Sequence, residues 1–209
     1  MKRYFVDLKP CFNSRMVYPK NYKVTDGKYI GINNHFFTEE NFKFGEISKA
    51  GVFACFERNK KLLDNIEPES QIIEIPEIPC DRISVFGYGS WGFYKEKIKL
   101  LFSDGSIDYA KVSLYYVLGN IQYTIGVSYF GERKMYSEYE NVFGQYKGVS
   151  HADGKVQEKD FSIYYCITEL EIKGRKLRQI VLPDNICVNI MAITLESDYG
   201  VIEGVCNAK

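Results

Sequence analysis

Apolar and polar residues alternate over short runs through much of the chain. A period of two marks strands with one covered face. Tyr4-Phe5-Val6-Asp7-Leu8, Gly51-Val52-Phe53-Ala54-Cys55-Phe56 and Gln71-Ile72-Ile73-Glu74-Ile75 read this way, and Pro10, Pro76 and Pro79 punctuate them. The pattern is clearest over residues 83–116. There Arg82-Ile83-Ser84-Val85-Phe86, Lys97-Ile98-Lys99-Leu100-Leu101-Phe102 and residues 108–116 are predicted strands. The first two flank a glycine-rich loop, Gly87-Tyr88-Gly89-Ser90-Trp91-Gly92-Phe93-Tyr94. The last two flank Asp104-Gly105, which predicts a type I′ hairpin turn with φ > 0 at both centres. Residues 161–172 and 177–182 add strands around a turn at Lys173-Gly174-Arg175-Lys176. Val188-Asn189-Ile190-Met191-Ala192-Ile193-Thr194-Leu195 is apolar on both faces, which predicts a central strand. Residues 57–66 fit a short helix or a charged loop, and residues 119–154 form the least regular connection.

No helical periodicity is sustained, no β-α-β alternation occurs, and no repeat or low-complexity linker is present. Many short strands separated by turns predict an all-β antiparallel sandwich. At 209 residues the chain suits one such domain over residues 1–197, with 198–209 as a C-terminal tail.

The order of these pieces resembles the galactose-binding-like jelly-roll domains that occur as non-catalytic carbohydrate-binding modules, often attached to bacterial glycoside hydrolases. The pieces are Val6-Asp7-Leu8 through Phe12-Asn13, Gly51-Val52-Phe53, Gln71 to Pro76, Ile83 to Gly87, Leu101 to Ser106, Ile163-Tyr164 to Lys176, Ile180-Val181-Leu182-Pro183 and Met191 to Leu195. The resemblance spans residues 4–196. It implies a jelly roll and a sugar ligand, and it assigns no catalytic residue. One departure stands out: the family pattern places an aromatic, often tryptophan, after the third strand of the middle unit, where this chain has Tyr115-Tyr116-Val117. Members of the fold also serve as structural and protein-interaction modules, some oligomeric, so that alternative stands beside the sugar reading.

Charge narrows the partners. Lys+Arg 27 balances Asp+Glu 27, which argues against a nucleic-acid binder or a polybasic membrane anchor. The unusual figure is 15% aromatic residues, with Tyr 17, Phe 14 and one Trp. Most such rings belong in a β core. The lone Trp91 falls in the predicted loop, where a flat ring stacks on the C–H face of a sugar or folds back to cap the sandwich. Tyr88, Trp91 and Tyr94 are therefore candidate ligand-binding residues, joined by Arg133 and Tyr136 of the irregular segment and by His151 beside Asp153-Gly154. A structural calcium, a feature of this fold class, would draw oxygen ligands from Asp7 and Glu196.

The six cysteines form no C-x-x-C pair and match no zinc template. Cys55, Cys166 and Cys187 sit in apolar runs as small hydrophobes. The N-terminal run has no h-region of signal-peptide length, and no stretch reaches transmembrane length. Reduced thiols and a cytoplasmic location are the expectation. No G-x-S-x-G, no P-loop and no assignable carboxylate pair appear, so an enzyme is not expected.

Overall fold

The computed structural model describes residues 1–22, 35–118, 141–152 and 155–198, with backbone alone for residues 35, 151, 152 and 155. Alternating apolar residues there become thirteen strands: β1 Lys2–Phe5, β2 Val17–Tyr18, β3 His35–Thr38, β4 Gly45–Lys49, β5 Val52–Phe56, β6 Ile72–Cys80, β7 Arg82–Gly89, β8 Tyr94–Phe102, β9 Ile107–Leu114, β10 Val142–Ala152, β11 Lys155–Glu169, β12 Arg175–Val181 and β13 Val188–Ser197. A 3-10 turn, Lys9–Cys11, follows β1. One sheet has the order β1-β13-β7-β11-β10-β3-β2, a second β6-β12-β8-β9, and β4 pairs with β5. The β2–β3 pair is parallel. The sheets pack together as an all-β sandwich.

Edge-to-face rings fill the interior. Phe37 meets Phe42, Tyr146 and Phe161 at 5.4, 5.9 and 5.5 Å, and Phe86 meets Phe143 at 4.9 Å. Each such pair contributes about 0.5–1.5 kcal/mol beyond the area it buries. Every residue of β13 is buried, as its two-sided apolar pattern predicted. It lies between β1 and β7, and Thr194 donates its hydroxyl to the Phe53 carbonyl of β5 at 2.7 Å.

Asp81 fixes one end of the sandwich. There the chain leaves β6 in the second sheet and enters β7 in the first. The Asp81 carboxylate accepts the Gly174 N–H at 2.6 Å, the Ser197 hydroxyl at 2.9 Å and the Asp198 N–H at 2.7 Å. One buried acid thus ties the β6–β7 corner, the β11–β12 corner and the end of β13. At the opposite end the chain changes sheets through Ser90–Phe93 and through residues 182–187.

Three sequence expectations are corrected, and one left open between helix and loop is decided. Gly105 alone is left-handed in its turn (φ 83). Its N–H donates to the Phe102 carbonyl, and the Phe102 N–H donates to Ser106, both at 3.0 Å. This is a three-residue loop closed by a glycine bulge, and Asp104 at negative φ rules out type I′. Residues 57–66 are a loop, because the Asn59 side chain accepts the Lys61 and Leu63 N–H groups and diverts them from a helix. β6 runs through Pro76 and Pro79 because it is an edge strand, where a missing N–H faces no partner. Finally, Gly87, Tyr88 and Gly89 belong to β7, leaving only residues 90–93 as a turn.

Candidate functional site

The glycines of residues 87–92 serve packing. A Cβ on Gly87 would lie 1.9 Å from the Asn189 carbonyl oxygen of β13, and one on Gly89 would lie 2.4 Å from the Gly92 oxygen. The close approach of β7 to β13 therefore requires glycine at 87. Tyr88 is wholly buried and meets Phe37 edge-on at 6.0 Å. Among the described residues its hydroxyl has no hydrogen-bond partner, and burial pushes its pKa well up. It offers no face to a ligand, so the stacking role expected for Tyr88 is corrected to a core role.

Trp91 is different. It is 59% exposed, on a turn whose backbone is held firmly. The Ser90 N–H donates to the Cys187 carbonyl at 2.8 Å, and the Asn189 amide donates to the Ser90 hydroxyl at 2.7 Å. These bonds extend the Gly89–Val188 pairing by one step, to Ser90 opposite Cys187, and Ile186, in the turn just before Cys187, is itself 58% exposed. The Trp91 ring does not cap the core.

Tyr94 is half-buried at the start of β8. Burial, and then a hydrogen bond with Cys187, push its pKa up to about 12. Phe93 stacks on Tyr115 with centroids 4.5 Å apart and planes 26° apart, and the Lys95 ammonium stands 5.3 Å from the Phe93 ring. Tyr115 continues inward to Tyr164 at 5.3 Å. Among the described residues this end of the sandwich thus carries the exposed Trp91 ring, and two residues on, at Phe93, a stack begins that runs into the core. Tyr115, where the family pattern led one to look for a platform, is part of that stack.

Arg133 and Tyr136 lie outside the described residues, as do Tyr129 and Tyr139. The backbone of His151 sits on β10 opposite Val156, and its side chain lies outside what is described. Ile186 was missed in the sequence because only the Ser90–Cys187 backbone bond, between residues ninety-odd positions apart, brings its turn to the same end as the Trp91 turn.

The expected metal pair does not assemble. Glu196 is opposite Arg3 on the β1–β13 ladder, while the Val6 N–H already reaches Ile193. Asp7 is thus displaced along the strands by roughly 13 Å, at about 3.3 Å per residue. Both Glu196 oxygens are occupied, by Arg3 at 3.0 Å and Arg82 at 3.4 Å. Asp7 is exposed and accepts the Lys9 N–H. Among the described residues no group of three or more His, Cys, Asp or Glu side chains is placed to hold a metal.

Among the described residues Cys11, Cys80, Cys166 and Cys187 form no disulfide. Burial pushes Cys80 up to about 12 and raises Cys11 and Cys166. Cys166 instead serves structure: its sulfur receives the Ser113 N–H at 3.0 Å and donates to the Ser113 carbonyl at 2.9 Å. Beside it, the Thr168 hydroxyl receives the Lys111 N–H at 3.1 Å. Two side chains of β11 thereby satisfy the outer edge of β9, which shields that edge from pairing with another chain.

No protein-family model matches the chain, and no curated protein matches it. Among the described residues, no helix is long and apolar enough to cross a membrane.

Proposed function

We propose that the protein is a non-catalytic carbohydrate-binding module of the galactose-binding-like type, which stacks a sugar ring on Trp91. The supporting observation is the exposure of the one tryptophan, 59%, in a chain that buries most of its described Phe side chains. A large apolar ring left in water on a hydrogen-bonded turn is poised for a flat apolar face, and the C–H side of a pyranose is such a face. The half-buried Tyr94 sits at its base. Four described cysteines without a disulfide, Cys11, Cys80, Cys166 and Cys187, suit a reducing compartment, and on that ground we propose a cytoplasmic location.

The test is a glycan array probed with wild type and Trp91→Ala, with circular dichroism on both. The reading requires that wild type bind at least one glycan and that the folded variant lose it. Wild-type binding that survives in the variant would move the site elsewhere.

A second reading, a protein-interaction module, draws on Ile186. At 58% exposure, it is a second large apolar side chain left in water in the connections at this end of the sandwich, as a protein partner would cover. Self-association abolished by Ile186→Asp would favour it.

A further inference from the structure

We propose that the outer face of the second sheet binds an acidic polysaccharide, one bearing carboxylate or sulfate groups, which leads away from Trp91 along β8. The inference rests on the carbohydrate reading above and names its ligand class.

The strand alternation creates the face. Tyr94, Glu96, Ile98 and Leu100 point inward along β8, so Lys95, Lys97 and Lys99 share the outer side. The ladder sets Lys97 directly opposite Lys111, Lys95 opposite Ser113 and Lys99 opposite Tyr109. Directly paired residues lie on one face. Four lysines therefore stand together, successive ones about 6.6 Å apart along β8 and Lys111 about 5 Å across from Lys97. Lys95, Lys97 and Lys111 are exposed, and Lys99 is half-buried.

The acids of these strands are turned away. Glu96 accepts the Asn185 amide at 2.6 Å, and Asp108 is bound by Arg175 at 2.6 Å. Glu74 shares the outer face, but it sits two strands away on β6 and accepts the Gln179 amide. None of the four lysines has an ion pair among the described residues. Lys97 instead lies 5.8 Å from the Tyr109 ring.

Two lysines placed directly opposite destabilise a sheet. In a chain of zero net charge, with 27 acids available as partners, an unpaired cluster of this kind matches an external anion. The cluster begins at Lys95, just beyond the Trp91 turn, so one extended ligand reaches both. A phosphate polymer fits less well: the chain lacks the overall cationic excess that draws one in, and Tyr109, beneath the Lys97 ammonium, is the single aromatic of the β8–β9 face.

The test uses the full chain and affinity electrophoresis in gels containing polygalacturonate, heparin, a neutral galactan or single-stranded DNA. Three variants are compared: Trp91→Ala, Lys97→Gln/Lys111→Gln and the wild type. We expect retardation by polygalacturonate or heparin, weakening steeply between about 50 and 200 mM salt as counterions compete. The double Gln variant should lose at least about tenfold in affinity, a change of about 1.4 kcal/mol, while melting no lower than wild type, since a like-charge pair has been removed. Which acidic polymer retards the chain separates carboxylate from sulfate ligands. The inference is overturned if the galactan binds and the acidic polymers bind no better, a result that leaves the Trp91 reading intact. It is also overturned if the Gln variant binds as wild type does, if DNA binds more tightly than either acidic polysaccharide, or if nothing is retarded. Lysine-dependent binding that ignores Trp91→Ala would uphold the lysine face and refute the Trp91 platform.

Discussion

Strands β13 and β8 are of similar length but have opposite fates. β13 is buried at all ten positions, while β8 alternates between core and solvent. The first lies in a sheet covered on both sides near its centre. Thr194 binds the β5 backbone there, and the Arg3 guanidinium lies 3.3 Å from the Phe53 ring. The second lies in a sheet covered on one side only. The doubly covered sheet holds the fold, and its residues are constrained by close packing. The singly covered sheet, with the Trp91 turn that leads into it, has side chains free to carry a ligand.

The largest effect should come from Gly87→Ala. A Cβ there meets backbone at 1.9 Å, and a strand backbone has no cheap way to yield. We expect a loss of about 4 kcal/mol or more by urea denaturation, in the range of severe core lesions. A loss under about 1 kcal/mol would show β7 and β13 to be less tightly joined than described.

Next comes Asp64, in the segment that covers the same sheet. Ile66 pairs with Ile190 of β13. The Asp64 carboxylate receives the Met16 N–H at 2.8 Å and the Val17 N–H at 3.0 Å, which clamps the start of β2. Burial pushes its pKa up from 3.8 to about 6, against those hydrogen bonds and the one from Asn65. The folded state thus holds this proton more tightly than the unfolded chain. The associated stability is full below about pH 4 and is lost as pH rises through about 6. At about 1.36 kcal/mol per unit this amounts to roughly 3 kcal/mol. Denaturation curves at several pH values should show that slope in wild type and lose it in Asp64→Asn.

Tyr88→Phe should be smaller and of opposite sign. The hydroxyl is buried without a partner among the described residues, so removing it should leave stability unchanged or raise it by about 1 kcal/mol. A loss beyond that would reveal a partner such as a bound water. The smallest effect is expected from Trp91→Ala, whose melting temperature should stay within about 2 °C of wild type, as for other exposed sites.

Strand periodicity made the sandwich readable in advance. The two-sided apolar run of β13 placed it in the interior, and alternation located β5, β8 and β12. Glycine misled, because Gly87-Tyr88-Gly89 in isolation looks like a loop. Only the approach of β13, a hundred residues later, makes it a strand. Tyr88 was misjudged for the same reason, since a ring in a loop and a ring in a strand interior differ by tertiary context alone. Asp7 and Glu196 were paired from nearness of strands, but the register separates them and Arg3 and Arg82 occupy the second. Trp91 could be singled out from the sequence because one tryptophan beside turn residues is a local signal, and the structure leaves it exposed. The lysine row was visible as Lys95, Lys97 and Lys99, but its fourth member and its missing acids emerge only from the β8–β9 register.

The most direct measurement is acrylamide quenching of the fluorescence of Trp91, which as the one tryptophan reports on itself alone. The structure calls for red-shifted emission, ready quenching in the free protein, and protection when a bound glycan covers the ring. Blue-shifted emission that resists acrylamide in the free protein would mean that Trp91 is packed into the sandwich, and the binding platform would not exist.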